Sequence, residues 1–163
     1  MKNSKLSQKT GLILLGLLTL FFRFPITESP TGSDDFYYTS AVKSILVHGE
    51  IFWAENALSF YGLFPGTSPL GGLILGTTIT QVTGLTVYHY SLIHSISLSL
   101  LATFGFFLLS GEFTQSYHSR WFSSLAFLLA PRFSMISLWA FSIRFSFIAL
   151  LPLFIWVLLR LIN

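Results

Sequence analysis

Residues 86–109 read TVYHYSLIHSISLSLLATFGFFLL and contain no Asp, Glu, Lys or Arg. This segment belongs to a longer stretch, from Asn56 to Gly111, that is also free of these four residue types. An α-helix of about 20 apolar residues is long enough to cross the hydrocarbon core of a bilayer, which is about 30 Å thick. We therefore predict that residues 86–109 form a membrane-spanning helix.

The composition of the whole chain agrees with a membrane protein. Of its 163 residues 53% are hydrophobic and only 9% are charged, and the mean hydropathy is +0.72. Soluble domains carry about 25% charged residues, so a soluble enzyme, a disordered tail and a nucleic-acid-binding protein are excluded. The slight excess of Lys and Arg comes from cations that flank apolar segments, so no nucleic-acid partner is predicted. Cysteine is absent, which excludes disulfides and thiol nucleophiles.

The N-terminal segment is predicted to be the first span. Three lysines within the first ten residues precede an apolar run from Gly11 to Phe22. Cations on this side of a span place the N-terminus in the cytoplasm. A secretory signal peptide is the alternative, but the residues that follow, beginning at Arg23, contain no small-residue cleavage site. We prefer an uncleaved span over residues 11–27, with Arg23 snorkelling to the far interface.

The rest of the chain alternates polar loops with apolar helices. Residues 28–85 contain five of the six acidic residues and form a predicted outer loop. Two surface helices are expected in this loop, near 35–48 and 69–83, and Gly49 is the predicted stop of the first. The predicted order is a cytoplasmic segment 1–10, a span 11–27, the outer loop 28–85, a span 86–109, a cytoplasmic loop 110–118, a span 119–131, an outer loop 132–144 and a span 145–162.

The predicted fold class is therefore all-α, a polytopic membrane helical bundle with four spans and two interfacial helices. The alternative is five spans, in which residues 69–83 form a thin span of about 22 Å. The positive-inside rule does not separate the two arrangements, because five of the nine cations are cytoplasmic in each. In the four-span arrangement these are Lys2, Lys5, Lys9, Arg120 and Arg160, and in the five-span arrangement Arg132 and Arg144 replace the last two.

Two adjacent carboxylates, Asp34 and Asp35, are the most informative polar feature of the sequence. They lie on the predicted outer side of the first span, at the start of a predicted helix. Such a pair can act as a general base or hold a divalent cation, Mg²⁺ or Mn²⁺. The structural alternative is a helix cap, in which one acidic residue complements the helix dipole. On spacing alone the cap is the favoured interpretation.

Arg144 is the cation most difficult to explain structurally, because it lies between two apolar segments with no acidic residue nearby in the sequence. A guanidinium can bind a lipid phosphate through two parallel hydrogen bonds. Snorkelling to the interface is the alternative, and it is sufficient for Arg23 and Arg160. The histidines have no metal-ligand spacing, since His89 and His94 are about 140° apart on a helix, so they predict no metal site.

The order of these features resembles the N-terminal part of the GT-C superfold membrane glycosyltransferases. This group includes protein O-mannosyltransferases, aminoarabinose transferases and oligosaccharyltransferase catalytic subunits, and the archaeal members are the most similar. The residues that carry the resemblance are Gly32-Ser-Asp34-Asp35-Phe-Tyr37-Tyr38 with Gly49 after them, Ser68-Pro69-Leu70, Leu129-Ala130-Pro131 and the last segment from Arg144 to Arg160.

The resemblance implies four spans and transfer of a sugar from a polyprenyl- or dolichyl-phosphate donor on the extracytoplasmic side. It implies that Asp34 is the catalytic base or metal-holding carboxylate, with Asp35 as the alternative, and that the lipid phosphate lies near Arg144. Family members are longer and many carry a second acidic residue in the next outer loop, which residues 131–144 lack. We therefore expect a chain that is incomplete relative to the family: a fragment, a truncated product, or one part of a split enzyme that has a C-terminal partner chain. The alternative is a small non-catalytic membrane subunit or assembly partner.

Overall fold

The computed structural model describes residues 2–24, 33–49, 53–55, 63–65, 70–137 and 143–162. These residues are helical apart from short connections and one antiparallel pair of three-residue strands. The predicted all-α class is therefore confirmed, and the strand pair is added to it. The elements are α1 (Lys2–Arg23), α2 (Ser33–His48), β1 (Trp53–Glu55), β2 (Leu63–Pro65), α3 (Leu70–Thr83), α4 (Val87–Phe113), α5 (Tyr117–Leu129), α6 (Pro131–Ser137) and α7 (Ile143–Ile162).

The short helices α2 and α3 end in the same way. Each is followed by a glycine in the left-handed region, Gly49 at φ 73° and Gly84 at φ 70°. The N–H groups of these glycines donate to Ile45 O at 2.8 Å and Thr80 O at 3.0 Å. Glycine adopts this conformation without the steric penalty of a Cβ atom, which is why both helices stop there.

The helices and strands differ from the predicted limits in several places. Helix α1 begins at Lys2, because the polar residues before Gly11 have adequate helix propensity. Helix α4 continues to Phe113, and the predicted outer loop 132–144 contains α6. Pro131 occupies the first position of α6, where its missing N–H costs nothing, and it ends α5 at Leu129. The antiparallel β1–β2 pair was not expected, since three-residue strands are too short to show alternation.

The chain forms two compact units. Unit 1 comprises Met1–Ile26, Ser95–Leu138 and Arg144–Asn163, and unit 2 comprises Thr27–His94 and Trp139–Ile143. By sequence, unit 1 contains eight Lys or Arg and one acidic residue, whereas unit 2 contains five acidic residues and one lysine. Nearly all the negative charge of the protein is therefore in unit 2.

Unit 2 is organised around one apolar cluster. Its buried members come from α2, α3 and the first turn of α4: Ala41, Val42, Ile45, Leu73, Val87 and Tyr90. Burial of one Val or Leu side chain is worth about 1.5–3 kcal/mol, so this cluster fixes α2 on α3. Lys43 lies outside it, with Nζ 3.0 Å from Tyr88 Oη and 4.2 Å from the ring centroid.

Unit 1 is an antiparallel arrangement of α1, the later part of α4, α5 and α7. At one end, Tyr117 Oη donates to Gln8 O at 2.9 Å, and Arg160 Nε forms an ion pair with Glu112 Oε1 at 2.9 Å. These contacts join the start of α1, the end of α4, the start of α5 and the end of α7. We call this the basic end of unit 1.

The opposite end of unit 1 holds the end of α1, the end of α5 and the start of α7. Arg23, the last residue of α1, donates to Leu128 O near the end of α5. Phe133 of α6 contacts Phe145 at the start of α7, with ring centroids 5.9 Å apart. The four helices therefore alternate in direction along the chain, up, down, up and down.

Among the residues that the structure describes, two helices are long and apolar enough to cross a membrane, Val87–Phe113 and Arg144–Ile162. In the most apolar 18-residue window, 44% of the first is buried but only 17% of the second. Large apolar side chains of α7 face outward, among them Phe147 and Leu161 at 65% and 77% exposed. Contiguous apolar surface of this kind is rare on soluble monomers and favours contact with lipid over water.

Helices α4 and α7 approach closely at Gly105. A Cβ atom at this position would lie 3.2 Å from both Leu153 N and Leu153 Cβ, whereas a Cβ atom at Gly71 would meet nothing within 4 Å. Gly105 is thus a packing glycine, as the small-residue rule for membrane helices predicts, and Gly71 packs against no neighbour.

We predict that Gly105→Leu lowers the free energy of unfolding by about 1–3 kcal/mol, because the added side chain overpacks against the α7 backbone. Gly71→Leu is the matched control and should be neutral or stabilising by about 1 kcal/mol, since it improves helix propensity. Denaturant titration of helix content in mixed micelles measures both. Equal destabilisation by the two changes would contradict close packing of α4 on α7.

Candidate functional site

The acidic pair lies in the first turn of α2, as the sequence predicts. The side chains of Asp34 and Asp35 are outside the described part of the structure, so their chemical role stays a prediction. The structure does describe how the helix that carries them is packed. The middle of α2 packs on α3 and on the first turn of α4 through the cluster of unit 2, so the backbone that carries both carboxylates is held by a packed helix.

The tyrosines that follow the acidic pair are part of this support. Tyr37 and Tyr38 meet edge to face, with ring centroids 5.5 Å apart, and Tyr38 packs against the unit 2 cluster. The aromatic residue that the family resemblance aligns four positions after Asp34 therefore anchors α2. Phe36 lies between the acidic pair and the two tyrosines. Its side chain is 60% exposed and faces away from this core.

Arg144 is exposed in the first turn of α7, and the next residue, Phe145, is fully buried against Phe133. Unit 1 contains one acidic residue in its sequence, Glu112, which is paired with Arg160 at the basic end. Among the described residues, Arg144 has no carboxylate partner. Asp34 and Asp35 belong to unit 2, whereas Arg144 belongs to unit 1.

Arg23 does not snorkel to the interface as the sequence predicts. The side chain is only 2% exposed, and its Nη2 donates to Leu128 O. The guanidinium carbon lies 4.9 Å from the centroid of the Phe133 ring. Its Nε atom has no hydrogen-bond partner. Arg23 is therefore a buried cation that is only partly satisfied.

The position of Arg23 has a physical reason. Helix α5 stops at Leu129, and the last carbonyls of a helix lack intrahelical donors and carry the negative end of the dipole. A cation that donates to Leu128 O supplies the missing hydrogen bond and also neutralises the negative end of the dipole. The sequence signal was Pro131, which marks the break between α5 and α6 and thus the location of unsatisfied carbonyls.

Side chains at the basic end also contact carbonyl groups inside the neighbouring helices. Arg120 lies against the last two turns of α4, with Nε and Nη2 each 3.4 Å from Phe107 O. Trp121 Nε1 donates to Gly11 O at 2.7 Å, and Trp156 Nε1 donates to Glu112 Oε1 at 3.1 Å. Indole rings with their N–H groups turned to a polar end are typical of membrane–water interfaces.

Tyr117 contributes a hydroxyl donor at the same end. Its phenol donates a hydrogen bond to Gln8 O of α1 at 2.9 Å, which links the starts of α5 and α1.

The described residues contain no group of three or more His, Cys, Asp and Glu side chains that could hold a metal ion. The carboxylates predicted for Mg²⁺ or Mn²⁺ lie outside that set. The histidines of α4 form local contacts instead: His89 Nδ1 is 2.8 Å from Thr86 Oγ1, and His94 Nδ1 is 3.4 Å from Tyr90 Oη. These contacts agree with a structural role.

Comparison with protein-family models, with curated proteins and with solved structures finds no match for this chain.

Proposed function

We propose that the chain is a multi-pass membrane protein with four spans, formed by α1, α4, α5 with α6, and α7, and a cytoplasmic N-terminus. The alternating direction of these helices in unit 1 supports this arrangement. In the five-span alternative α1 would start in the cytoplasm and α5 would start outside. The hydrogen bond between Tyr117 and Gln8 joins these two starts, which supports placing them on the same side.

The cation distribution supports a cytoplasmic basic end. Three cations lie at the helix ends that form the basic end: Lys9, whose side chain is exposed, Arg120 and Arg160. Lysines and arginines concentrate on the cytoplasmic side of short loops. In this orientation the opposite end of unit 1, with Arg144, is extracytoplasmic.

Within this topology we infer that the protein is a membrane glycosyltransferase, or the N-terminal part of one. The observation that carries the inference is α2, a 16-residue helix that opens with two carboxylates and ends at Gly49. It is too short to span and packs on a second short helix, α3. This pair of helices matches the first outer loop that the sequence resemblance implies. The donor is a sugar linked to polyprenyl or dolichyl phosphate.

The proposed reaction is one displacement at the anomeric carbon of the donor sugar. Asp34 accepts the proton of the acceptor O–H group, and the acceptor oxygen forms a bond to the anomeric carbon. The bond between this carbon and the phosphate oxygen breaks, and its electron pair leaves on the lipid phosphate. The resemblance also assigns the lipid phosphate to Arg144, whose guanidinium can hold a phosphate through charge-assisted hydrogen bonds. Asp35 is the alternative base.

Sugar transfer by membranes that contain the full chain tests this function, with a panel of radiolabelled polyprenyl- and dolichyl-phosphate sugars. We predict that Arg144→Gln lowers kcat/KM for the donor about 10- to 100-fold, the value of a hydrogen bond to a charged group. Arg132→Gln, which removes another exposed arginine of unit 1, is the control and should retain the parental value. An equal loss in both variants would contradict a specific phosphate contact by Arg144.

A second candidate function is a non-catalytic subunit that packs beside a partner chain. The specific observation in its favour is the uncovered apolar surface of α7, which is far less buried than that of α4. Blue-native electrophoresis separates the candidates: a defined hetero-complex that binds no donor lipid supports the subunit, and donor binding by the chain alone supports the transferase.

A further inference from the structure

An apolar groove runs along α1 on the outside of unit 1. It has a volume of about 340 Å³, and its walls include Leu12, Gly16 and Leu20 of α1 with Leu100 and Phe104 of α4. This volume lies within the range of about 300–1,000 Å³ that small-molecule sites occupy. Gly16 forms the floor, because a Cβ atom there would already be 3.4 Å from Phe104 Cζ. The missing side chain thus keeps the groove open.

A lysine, Lys9, lies about one helical turn before the groove on the same face of α1. Helical periodicity of 3.6 residues places position 9 on the same stripe as positions 13, 16 and 20. Lys9 is exposed and has no ion-pair partner among the described residues. The face of α1 therefore changes from cationic at the basic end to apolar along the groove.

The length of this composite surface matches one leaflet of a bilayer. The eleven residues between Lys9 and Leu20 rise about 16 Å along the helix axis. Half of a hydrocarbon core of about 30 Å is about 15 Å. A phospholipid whose headgroup lies beside Lys9 consequently extends an acyl chain over the whole groove and ends near the bilayer centre.

We propose that this face of unit 1 binds one anionic phospholipid of the inner leaflet, with an acyl chain in the α1–α4 groove and the headgroup beside Lys9. The site goes beyond sugar transfer and does not depend on it. It rests only on α1 and α4 crossing the membrane with the basic end in the cytoplasm. The ligand class follows from charge complementarity, because a lysine-rich surface next to a membrane attracts anionic headgroups.

The same charges argue against a second copy of the chain as the occupant. Two copies inserted in the same orientation would bring their α1 faces together with the lysines side by side. Like charges placed opposite each other at an interface are unfavourable. A zwitterionic lipid fits the groove equally well but gains nothing from Lys9, so the headgroup charge decides between the two lipids.

Native mass spectrometry of the full chain tests the site. The chain is released from nanodiscs that contain equal amounts of phosphatidylglycerol and phosphatidylcholine with identical acyl chains. We expect one retained phosphatidylglycerol per chain, preferred at least fivefold over phosphatidylcholine. Lys9→Gln should reduce this preference about fivefold, the effect of one lysine near a membrane surface. Lys43→Gln, which removes the lysine of unit 2, should leave the preference unchanged.

A groove-filling pair of variants tests the acyl chain separately. Leu17→Trp adds volume at a groove-lining position that is 57% exposed, and Leu14→Trp makes the same change on another face of α1. Leu17→Trp should lower retention of both lipids at least fivefold, and Leu14→Trp should not. Equal retention of the two lipids by the parent, parental retention in Leu17→Trp, or lipid-free dimers would each overturn the proposal. None of these readings requires transfer activity, so failure here leaves the transferase proposal standing.

Discussion

Asp34→Asn is expected to lower sugar transfer by about 10²- to 10⁴-fold, the usual contribution of a general base. An amide has the size of the carboxylate but cannot accept the acceptor's proton. The measurement is the initial rate of transfer by membranes with matched amounts of parent and variant. Asp35→Asn is made in parallel, because the resemblance leaves Asp35 as the alternative base. One of the two variants should show the large loss.

The choice of asparagine also separates catalysis from helix capping. Both residues lie in the first turn of α2, where an amide loses only the interaction of the charge with the helix dipole, about 0.3–1 kcal/mol. Helix content should therefore stay close to the parental level, with a stability loss within that range, while transfer falls. Parental transfer rates in both Asp34→Asn and Asp35→Asn would contradict a catalytic carboxylate at this site.

The largest effect on stability is expected at Arg23. We predict that Arg23→Ala lowers the free energy of unfolding by about 3–5 kcal/mol. The change leaves a cavity under Phe133 and deprives Leu128 O of its donor. Denaturant titration of helix content in mixed micelles measures the loss. Arg132→Ala is the matched control, since Arg132 is exposed, and it should change stability by less than about 0.5 kcal/mol.

A second substitution separates the two contributions of Arg23. Arg23→Met keeps most of the side-chain volume and removes the buried charge, including the unsatisfied Nε. Replacing a buried charge with an apolar side chain of similar size is often tolerated, so we expect a loss of about 1 kcal/mol from the carbonyl hydrogen bond alone. Equal losses in Arg23→Ala and Arg132→Ala would show that Arg23 does not hold α1 to α5.

Features that depend on neighbouring residues in the sequence were predictable. The stop of α2 at Gly49 follows from the backbone freedom of glycine. The apolar run at 86–109 indicated α4 because charge is absent over its whole length. The outward apolar surface of α7 likewise follows from its composition. In each case local sequence and tertiary environment favour the same structure.

Features that depend on distant contacts were not predictable. Arg23 is buried because α5 ends beside it in space, more than a hundred residues later in the chain. Gly111, in the last turn of α4, leaves room for the guanidinium of Arg120, which would lie 2.9 Å from a Cβ atom at that position. The alternation of helix directions in unit 1 similarly required the contacts at its two ends.

The candidate site was predictable only in its position. The sequence places Asp34 and Asp35 at a helix start and Arg144 at the boundary of an apolar segment, and both locations agree with the structure. The chemistry proposed for these residues stays a prediction, because a residue pattern does not specify a substrate.

Cysteine accessibility is the most direct test of the topology on which the account depends. The chain has no native cysteine, so Ser33→Cys and His118→Cys each introduce a single label site, one beside the acidic pair and one at the basic end. We predict that a membrane-impermeant maleimide labels Ser33→Cys in intact cells and labels His118→Cys only after permeabilisation. Labelling of His118→Cys in intact cells, with Ser33→Cys protected until permeabilisation, would contradict the account.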